Sequence, residues 1–429
     1  MPRITFTVLV TSYLAAAVVG MAVVNESVSI TTFNTGLSAT VANYDSRRLL
    51  LADALKKEVH TDLFCMNEMW YKQDLDLLFD DEEWMARYPY HYHYNNTEWE
   101  VAAKGEPVDS LCPATTTITL VKLMGIEECK ADFTKAITVE GKLYNDLVSD
   151  LFALLDCWKT NTPDDFLIIF NNKKCYGCLV MAGTTGDIPS MLNCMRGSTD
   201  EKVNDQAFES LLYGLVLWSK IPLTNVGGKS MDWGIVPRAF ISGETEFQGV
   251  QTGVLCTHVA VEGPEQQDQF REITEFVKGE EAKGIIDWIM AGDLNSGPDA
   301  ADGSSTLNPD PISTNGTSST ELLTELGWWG IYDNTVPNKP TWERPVIGPD
   351  YMDGNTNICG HDTGKNCSGY TETWSAKNVL DHVMVWGDRL PRDSSRYNAI
   401  RILDTKYPSN GSIEGYHISD HYGAQVKLQ

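Results

Sequence analysis

At 429 residues the chain is longer than one minimal core needs and has room for one large domain or two. Its 42% hydrophobic and 21% charged residues are those of a globular protein, not of a disordered one. With 59 acidic against 33 basic side chains the net charge is −26, so the surface repels nucleic acid at long range. A nucleic-acid substrate would need a local basic groove.

Arg3 precedes an apolar run, roughly Ile4 to Val24, with small residues at Gly20 and Ala22. This is the pattern of a secretory signal peptide cleaved near Ala22, so residues 1–22 read as signal and 23–429 as the mature domain. The run is close to spanning length, and an uncleaved anchor is the alternative. No later stretch approaches 18 apolar residues, so the mature protein is expected to be soluble. Ten cysteines, with Asn-x-Ser/Thr sequons at Asn25, Asn95, Asn315, Asn366 and Asn410, agree with a secreted, extracellular location.

Val28 to Asn34 alternates apolar and polar residues as a half-buried strand does. Tyr44 to Val59 has helical spacing at Leu49, Leu50, Ala52 and Leu55, and Asp62 to Glu68 is a second strand that closes on a carboxylate. Trp84 to Trp99 is dense in aromatics, and Tyr90 to Tyr94 alternates Tyr with His, placing the two types on opposite strand faces. The bland reading packs those tyrosines; the functional one is an aromatic wall for a cationic or membrane-borne substrate.

Residues from about 100 to 205 hold six cysteines: Cys112, Cys129, Cys157, Cys175, Cys178 and Cys194. With an amphipathic helix over Leu143 to Trp158 and the start of another in Asp200 to Leu215, they read as a disulfide-stapled insertion. Cys175 and Cys178 have no second ligand pair at matching spacing, which favours structural disulfides over a zinc or redox pair, without choosing the connectivity.

Strands resume at Leu211 to Pro222 and Gly249 to His258, followed by a helix over Glu265 to Val277 with Phe270, Ile273 and Phe276 on one face. The apolar run Ile285 to Ala291 ends in Gly292, after which Asp293 and Asn295 stand two apart and project to the same side. Residues 297–320 form a loop and Glu321 to Leu326 a short helix. Cys359 and Cys367 bracket a Gly-rich loop and are expected to pair, whereas Cys65 and Cys256 fall in core strands and read as buried free thiols unless neighbouring strands bring them together. Val379 to Trp386 and Ile418 to Leu428 are the last strands, each carrying polar residues where a plain turn would have served.

Those polar residues form a series: Asn34, Glu68, His258, Asp293, Asn295, Asp381, Asp420 and His421. One per strand suggests a shared site at one sheet edge. Each one alone also reads as a solvated cap or turn residue. Glu68 and Asp420 are hard oxygen donors suited to Mg²⁺, with Ca²⁺ or Mn²⁺ as alternatives, and Asn34 completes or supports the set. His421 suits a general base for water, with Asp381 fixing its tautomer. His258 and Asn295 suit donors to phosphate oxygens, and Asp293 suits a water-positioning group or a second metal ligand. His60 and His382 read as structural, His361 and His417 as surface residues.

The pattern resembles the endonuclease/exonuclease/phosphatase superfamily, the deoxyribonuclease I-like fold. The matching pieces are Thr32-Phe33-Asn34, Asn67-Glu68, Leu215 to Pro222, Thr257-His258, Gly292-Asp293-Leu294-Asn295, Leu380 to Val383 and Ser419-Asp420-His421. They run in the family's order and leave out only the cysteine-rich block. The resemblance implies an α+β, four-layer α/β/β/α sandwich of two mixed sheets. It also implies Glu68 as metal ligand with Asn34 and Asp420 near it, His421 as base oriented by Asp381, and His258, Asp293 and Asn295 around the phosphate. Asn67-Glu68-Met69 with Arg87 to Tyr90, and Pro340-Thr341-Trp342 with Asn355 or Asn357 beyond, are similar to the secreted sphingomyelinase C-like branch. His382 stands where that pattern has an aromatic such as Tyr, and Gly423 where Pro often follows.

The expected function is therefore secreted, metal-dependent hydrolysis of a phosphodiester, foremost a phospholipid head group, by a monomer with peripheral membrane contact. A deoxyribonuclease-like enzyme is the alternative, and it predicts a basic cluster near Lys220 and Arg238. A phosphomonoesterase and a non-catalytic secreted binding or lytic protein are the others.

Overall fold

The computed structural model describes residues 27–37, 44–70, 72–93, 112–137, 144–172, 175–176, 179, 194–195, 213–231, 238–247, 249–260, 263–285, 287–296, 319–331, 342–343, 377–378, 381–403, 406–409, 412–417, 419 and 423–428. The sequons and the Cys359 and Cys367 pair lie outside these residues. Among the described residues no helix is long and apolar enough to cross a membrane.

Two crossover units organise the chain. Strand β1 (Val28–Leu37) leads through helix α1 (Tyr44–Glu58) to β2 (Leu63–Met69), which lies parallel to β1. Helices α2 (Lys72–Phe79) and α3 (Glu82–Arg87) follow, then the short edge strand β3 (Tyr90–His93). The insertion supplies α4 (Ala114–Met124), α5 (Lys130–Ile137), α6 (Tyr144–Asn161) and α7 (Pro163–Phe170). Then come β4 (Val216–Ser219), β5 (Thr224–Ser230), β6 (Ala239–Phe247) and β7 (Val250–His258). Helix α8 (Gly263–Glu281) crosses to β8 (Asp287–Asp293), parallel to β7, so the second half repeats the unit of the first.

Helix α9 (Ser319–Leu326) precedes β9 (Trp329–Gly330), and β10 (Trp342–Glu343) pairs with β11 (Lys377–Asn378) in a small ribbon. The chain then gives β12 (Asp381–Trp386), β13 (Tyr397–Ile402), a second ribbon of β14 (Lys406–Ser409) and β15 (Ser412–His417), and β16 (Gly423–Leu428). One six-stranded sheet has the order β13-β16-β1-β2-β4-β3 and the other β5-β6-β7-β8-β12-β9. Each mixes its parallel pair with antiparallel neighbours.

The sheets stack face to face because their strands are apolar on both sides. Ile30, Cys65, Leu217, Ile241, Val254, Ile289, Val383 and Val426 meet in the layer between them. Phe64, Met66, Val216 and Trp218 face α1, α2 and α3, while Phe240, Leu255, Trp288 and Met290 face α8 and α9. This is the four-layer α/β/β/α arrangement of the deoxyribonuclease I-like fold.

Three sequence expectations change. Helix α1 buries Leu51, Ala54 and Leu55 rather than Leu49, which is 66% exposed. The stripe is rotated so that Arg47, fully buried, donates to the carbonyls of Thr35 and Gly36 at 3.1 and 2.7 Å and satisfies the end of β1. In β3 the histidines face the helices, Tyr92 packs towards the layer between the sheets and Tyr90 is exposed. The rings of His91 and His93 sit 4.9 and 5.5 Å from that of Phe79, and His91 is 5.5 Å from Trp218, because register with β4 sets them on the helix-facing side. The Tyr92 hydroxyl accepts from the Leu223 N–H at 3.0 Å.

Cys65 and Cys256 are not free thiols but a disulfide joining β2 of one sheet to β7 of the other. Both point into the layer between the sheets, which brings their Cα atoms to 5.3 Å. In the insertion Cys112 pairs with Cys175 and Cys129 with Cys157, which rules out Cys175 as half of a redox or zinc pair with Cys178.

The inter-sheet disulfide closes a loop spanning 191 residues. The pair Cys65→Ala, Cys256→Ala is expected to lower unfolding free energy by about 2–5 kcal/mol in urea titration. A second expectation concerns acid. Burial lowers the His93 pKa to about 3 and that of His91 in the same direction. The folded state therefore refuses protons that the unfolded state takes up. For His93 stability is held above about pH 6.5 and falls towards pH 3, by up to about 1.4 kcal/mol per pH unit. Urea midpoints at about pH 7 and pH 5 should converge in His93→Phe relative to wild type.

Candidate active site

The carboxyl ends of the two parallel pairs come together at one mouth of the sandwich, the usual place for a ligand on parallel strands. From β1 comes Asn34, from β2 Glu68, from β7 His258 and from β8 Asp293, with Asn295 two residues beyond. Asn34 Nδ2 donates to Glu68 Oε1 at 3.0 Å and to Asp293 Oδ2 at 2.8 Å, so one amide spans a carboxylate from each sheet. His258 Nε2 lies 3.5 Å from Asp293 Oδ2 and 3.8 Å from Glu68 Oε1. Asn295 Nδ2 lies 3.1 Å from the same nitrogen. Asp293 and His258 are 1% exposed, whereas Glu68 is 25% exposed in its side chain and faces the opening.

Glu68, His258 and Asp293 offer one ligand atom each within 4.8 Å of one another, the one such trio of acidic, His or Cys groups among the described residues. Two carboxylate oxygens this close repel each other and suit a small hard cation. Asn34 enters as a donor. Its Oδ1 accepts from the Gly36 N–H at 2.9 Å, which turns Nδ2 towards the two carboxylates. Asp293, expected to position water or serve a second ion, stands in the same cluster as Glu68.

The backbone is bent to aim these groups. Glu68 has φ 56° and Asn295 φ 47°, left-handed conformations that are uncommon for residues other than glycine. Around Glu68 the neighbours hold it: Thr35 donates to the carbonyls of Asn67 and Glu68, and Met69 N–H donates to Gly214 O at 3.2 Å. Gly214 packs so close that an added Cβ would meet Glu68 Cα at 3.1 Å. Around Asn295, Gln266 of α8 donates to the carbonyls of Leu294 and Asn295. The Asn295 N–H donates to Asp293 Oδ1 at 2.8 Å and its side chain to Val259 O at 3.0 Å.

Two further residues support the site without having been singled out by the strand-end pattern. Asn67, fully buried, donates to Thr257 O at 2.8 Å and accepts from the Asp293 N–H at 3.2 Å, tying β2 to both β7 and β8. An asparagine inside an apolar strand was the available signal. Arg238, just before β6, places Nη1 2.8 Å from His258 Nδ1.

Of the two basic residues expected to flank a nuclease site, Arg238 lies at this mouth and Lys220 does not, so the two do not cluster. Lys220 follows Ser219, which pairs with Leu63 at the opposite end of β2, and its ammonium donates to His60 O. Arg238 is buried. Asp381 opens β12 directly across from Asp293 and is buried. His382 is held by Ser296 O at 2.6 Å, as a structural histidine is. Asp420 and His421 lie outside the described residues. Ser419 just before them is buried, and its hydroxyl donates to Asn34 O at 2.8 Å.

Comparison with solved structures returns deoxyribonuclease I-like proteins at low identity. Sphingomyelinase C from Streptomyces griseocarneus is 14% identical, with 94% of this chain and 99% of that one covered and a TM-score of 0.46. TDP2 of D. rerio complexed with single-strand DNA product is 11% identical over 94% of this chain and 100% of that one, with a TM-score of 0.45. An endonuclease/exonuclease/phosphatase family protein from Bacteroides thetaiotaomicron is 11% identical over 94% and 97%, with a TM-score of 0.42. A comparison with curated proteins returned no match. A family profile described as "Endonuclease/Exonuclease/phosphatase family" matches residues 31–421, from β1 through His421. With that match spanning nearly all of the sandwich, the chain belongs to the endonuclease/exonuclease/phosphatase family.

Proposed function

We propose that the chain is a secreted phosphodiesterase that hydrolyses a phospholipid head group with the help of a divalent cation. One observation carries the reading: the carboxylates of Glu68 and Asp293 converge beside His258 and Asn295 at a single mouth. Glu68 and Asp293 would hold Mg²⁺ or a similar hard ion, with Asp420 as a further oxygen donor. When bound, such an ion supplies positive charge against a phosphoryl oxygen.

The side chains of this protein account for the rest. His258 and Asn295 donate to phosphate oxygens as charge builds on them. His421 takes the proton of the attacking water, and Asp381 orients it. Ser419, which directly precedes Asp420 and His421 in sequence, donates to Asn34 O and supports this assignment. Disulfides suit an oxidising compartment, and the net charge of −26 disfavours a polyanionic substrate.

The test is release of phosphocholine from sphingomyelin vesicles with Mg²⁺ and with EDTA, beside duplex DNA and a bis-aryl phosphate. Release that EDTA abolishes is expected. DNA cleavage without phosphocholine release would hand the reading to the nuclease alternative, and no hydrolysis of any substrate would remove the enzyme. In the active arm, Glu68→Gln and His421→Ala should each lower kcat by roughly 10²–10⁴-fold while leaving the urea midpoint near wild type.

A further inference from the structure

Arg238 is buried, 5% exposed, and its guanidinium nitrogen Nη1 stands 2.8 Å from Nδ1 of His258. A guanidinium carries only donors and stays charged at any pH the protein meets. Nδ1 must therefore accept, which excludes both the doubly protonated ring and the tautomer with hydrogen on Nδ1. The ring's one N–H is left on Nε2, the nitrogen that faces Asp293 and Glu68. A nitrogen that bears hydrogen has no lone pair for a cation.

Asn295 Nδ2, 3.1 Å from His258 Nε2, donates to Val259 O at 3.0 Å and so has a partner other than the ring.

Resting on the cation-dependent reading above, we propose that Arg238 is a positioning residue that sets which metal the site takes. Without it, Glu68, His258 and Asp293 form a mixed Glu/His/Asp trio of the kind zinc uses. With it, His258 is withdrawn from the ligand set and the site offers oxygens alone, the preference of Mg²⁺ and Mn²⁺. Arg238 thus protects a donor needed by the substrate from capture by a softer, tighter-binding ion.

The experiment loads the full mature chain with Mn²⁺ and reads directly bound nitrogen by electron spin echo envelope modulation, with no substrate present. Wild type should show bound Mn²⁺ without coordinated nitrogen. Arg238→Gln, whose amide oxygen accepts from Nδ1–H and frees Nε2, should gain a coordinated nitrogen and bind Zn²⁺ roughly tenfold or more tightly. Arg238→Lys, which keeps a donor, should behave as wild type.

Histidine ¹⁵N spectra of the wild-type protein give a readout that needs no substitution at 238. The His258 signal, assigned through His258→Gln, should show hydrogen on Nε2. Coordinated nitrogen in wild type, or hydrogen on Nδ1, would overturn this inference alone. Failure of wild type to bind Mn²⁺ at all would overturn it together with the cation-dependent reading.

Discussion

One amide holds the site together. Asn34 Nδ2 reaches Glu68 of its own sheet at 3.0 Å and Asp293 of the facing sheet at 2.8 Å. Two carboxylates at this spacing, one almost fully buried, would push the sheets apart at their mouth without a donor between them. The rest of the architecture serves that juncture. The paired crossovers β1-α1-β2 and β7-α8-β8 bring four carboxyl ends to the same place. The layer below them is apolar and closely packed, which sets the relative height of the two sheets.

Below the juncture, two links keep the sheets in register. Asn67 bridges β2 to β7 and β8 through one carbonyl and one N–H, and each bond is worth most because it is buried. The disulfide Cys65–Cys256 lies three residues before Glu68 and two before His258. Both links act on the strands that carry site residues. A slip of one residue in either strand would turn Glu68 or His258 into the wrong layer.

The left-handed backbone at Glu68 and Asn295 belongs to the same economy of position. A regular strand sends alternate side chains to opposite faces, and neither face of a packed sandwich opens at its end. Bending the last residue turns a side chain towards the mouth. Gly214 and Gln266 hold those bends from neighbouring elements, at a cost in strain that packing around them must offset.

Much of this was legible along the chain. The alternation of Val28 to Asn34, the apolar run before Gly292 and the helical spacing of Glu265 to Val277 specify strands and a helix, because those signals are local. Polar residues at successive strand ends marked Asn34, Glu68, His258, Asp293 and Asn295, and the structure gathers all five within hydrogen-bonding reach of one another or of a shared neighbour. The exposure of Tyr90 and the buried face of α1 escaped periodicity, since a two-residue alternation shows that faces differ but not which one is covered. Local periodicity and composition thus determined the order of elements, the likeness to a family and the strand-end residues. Only the tertiary structure decided that Cys65 meets Cys256, that Asn34 separates two carboxylates and that Arg238 backs His258. Those pairings join segments up to 259 residues apart, and their partners are chosen by how two sheets pack, which no local pattern encodes.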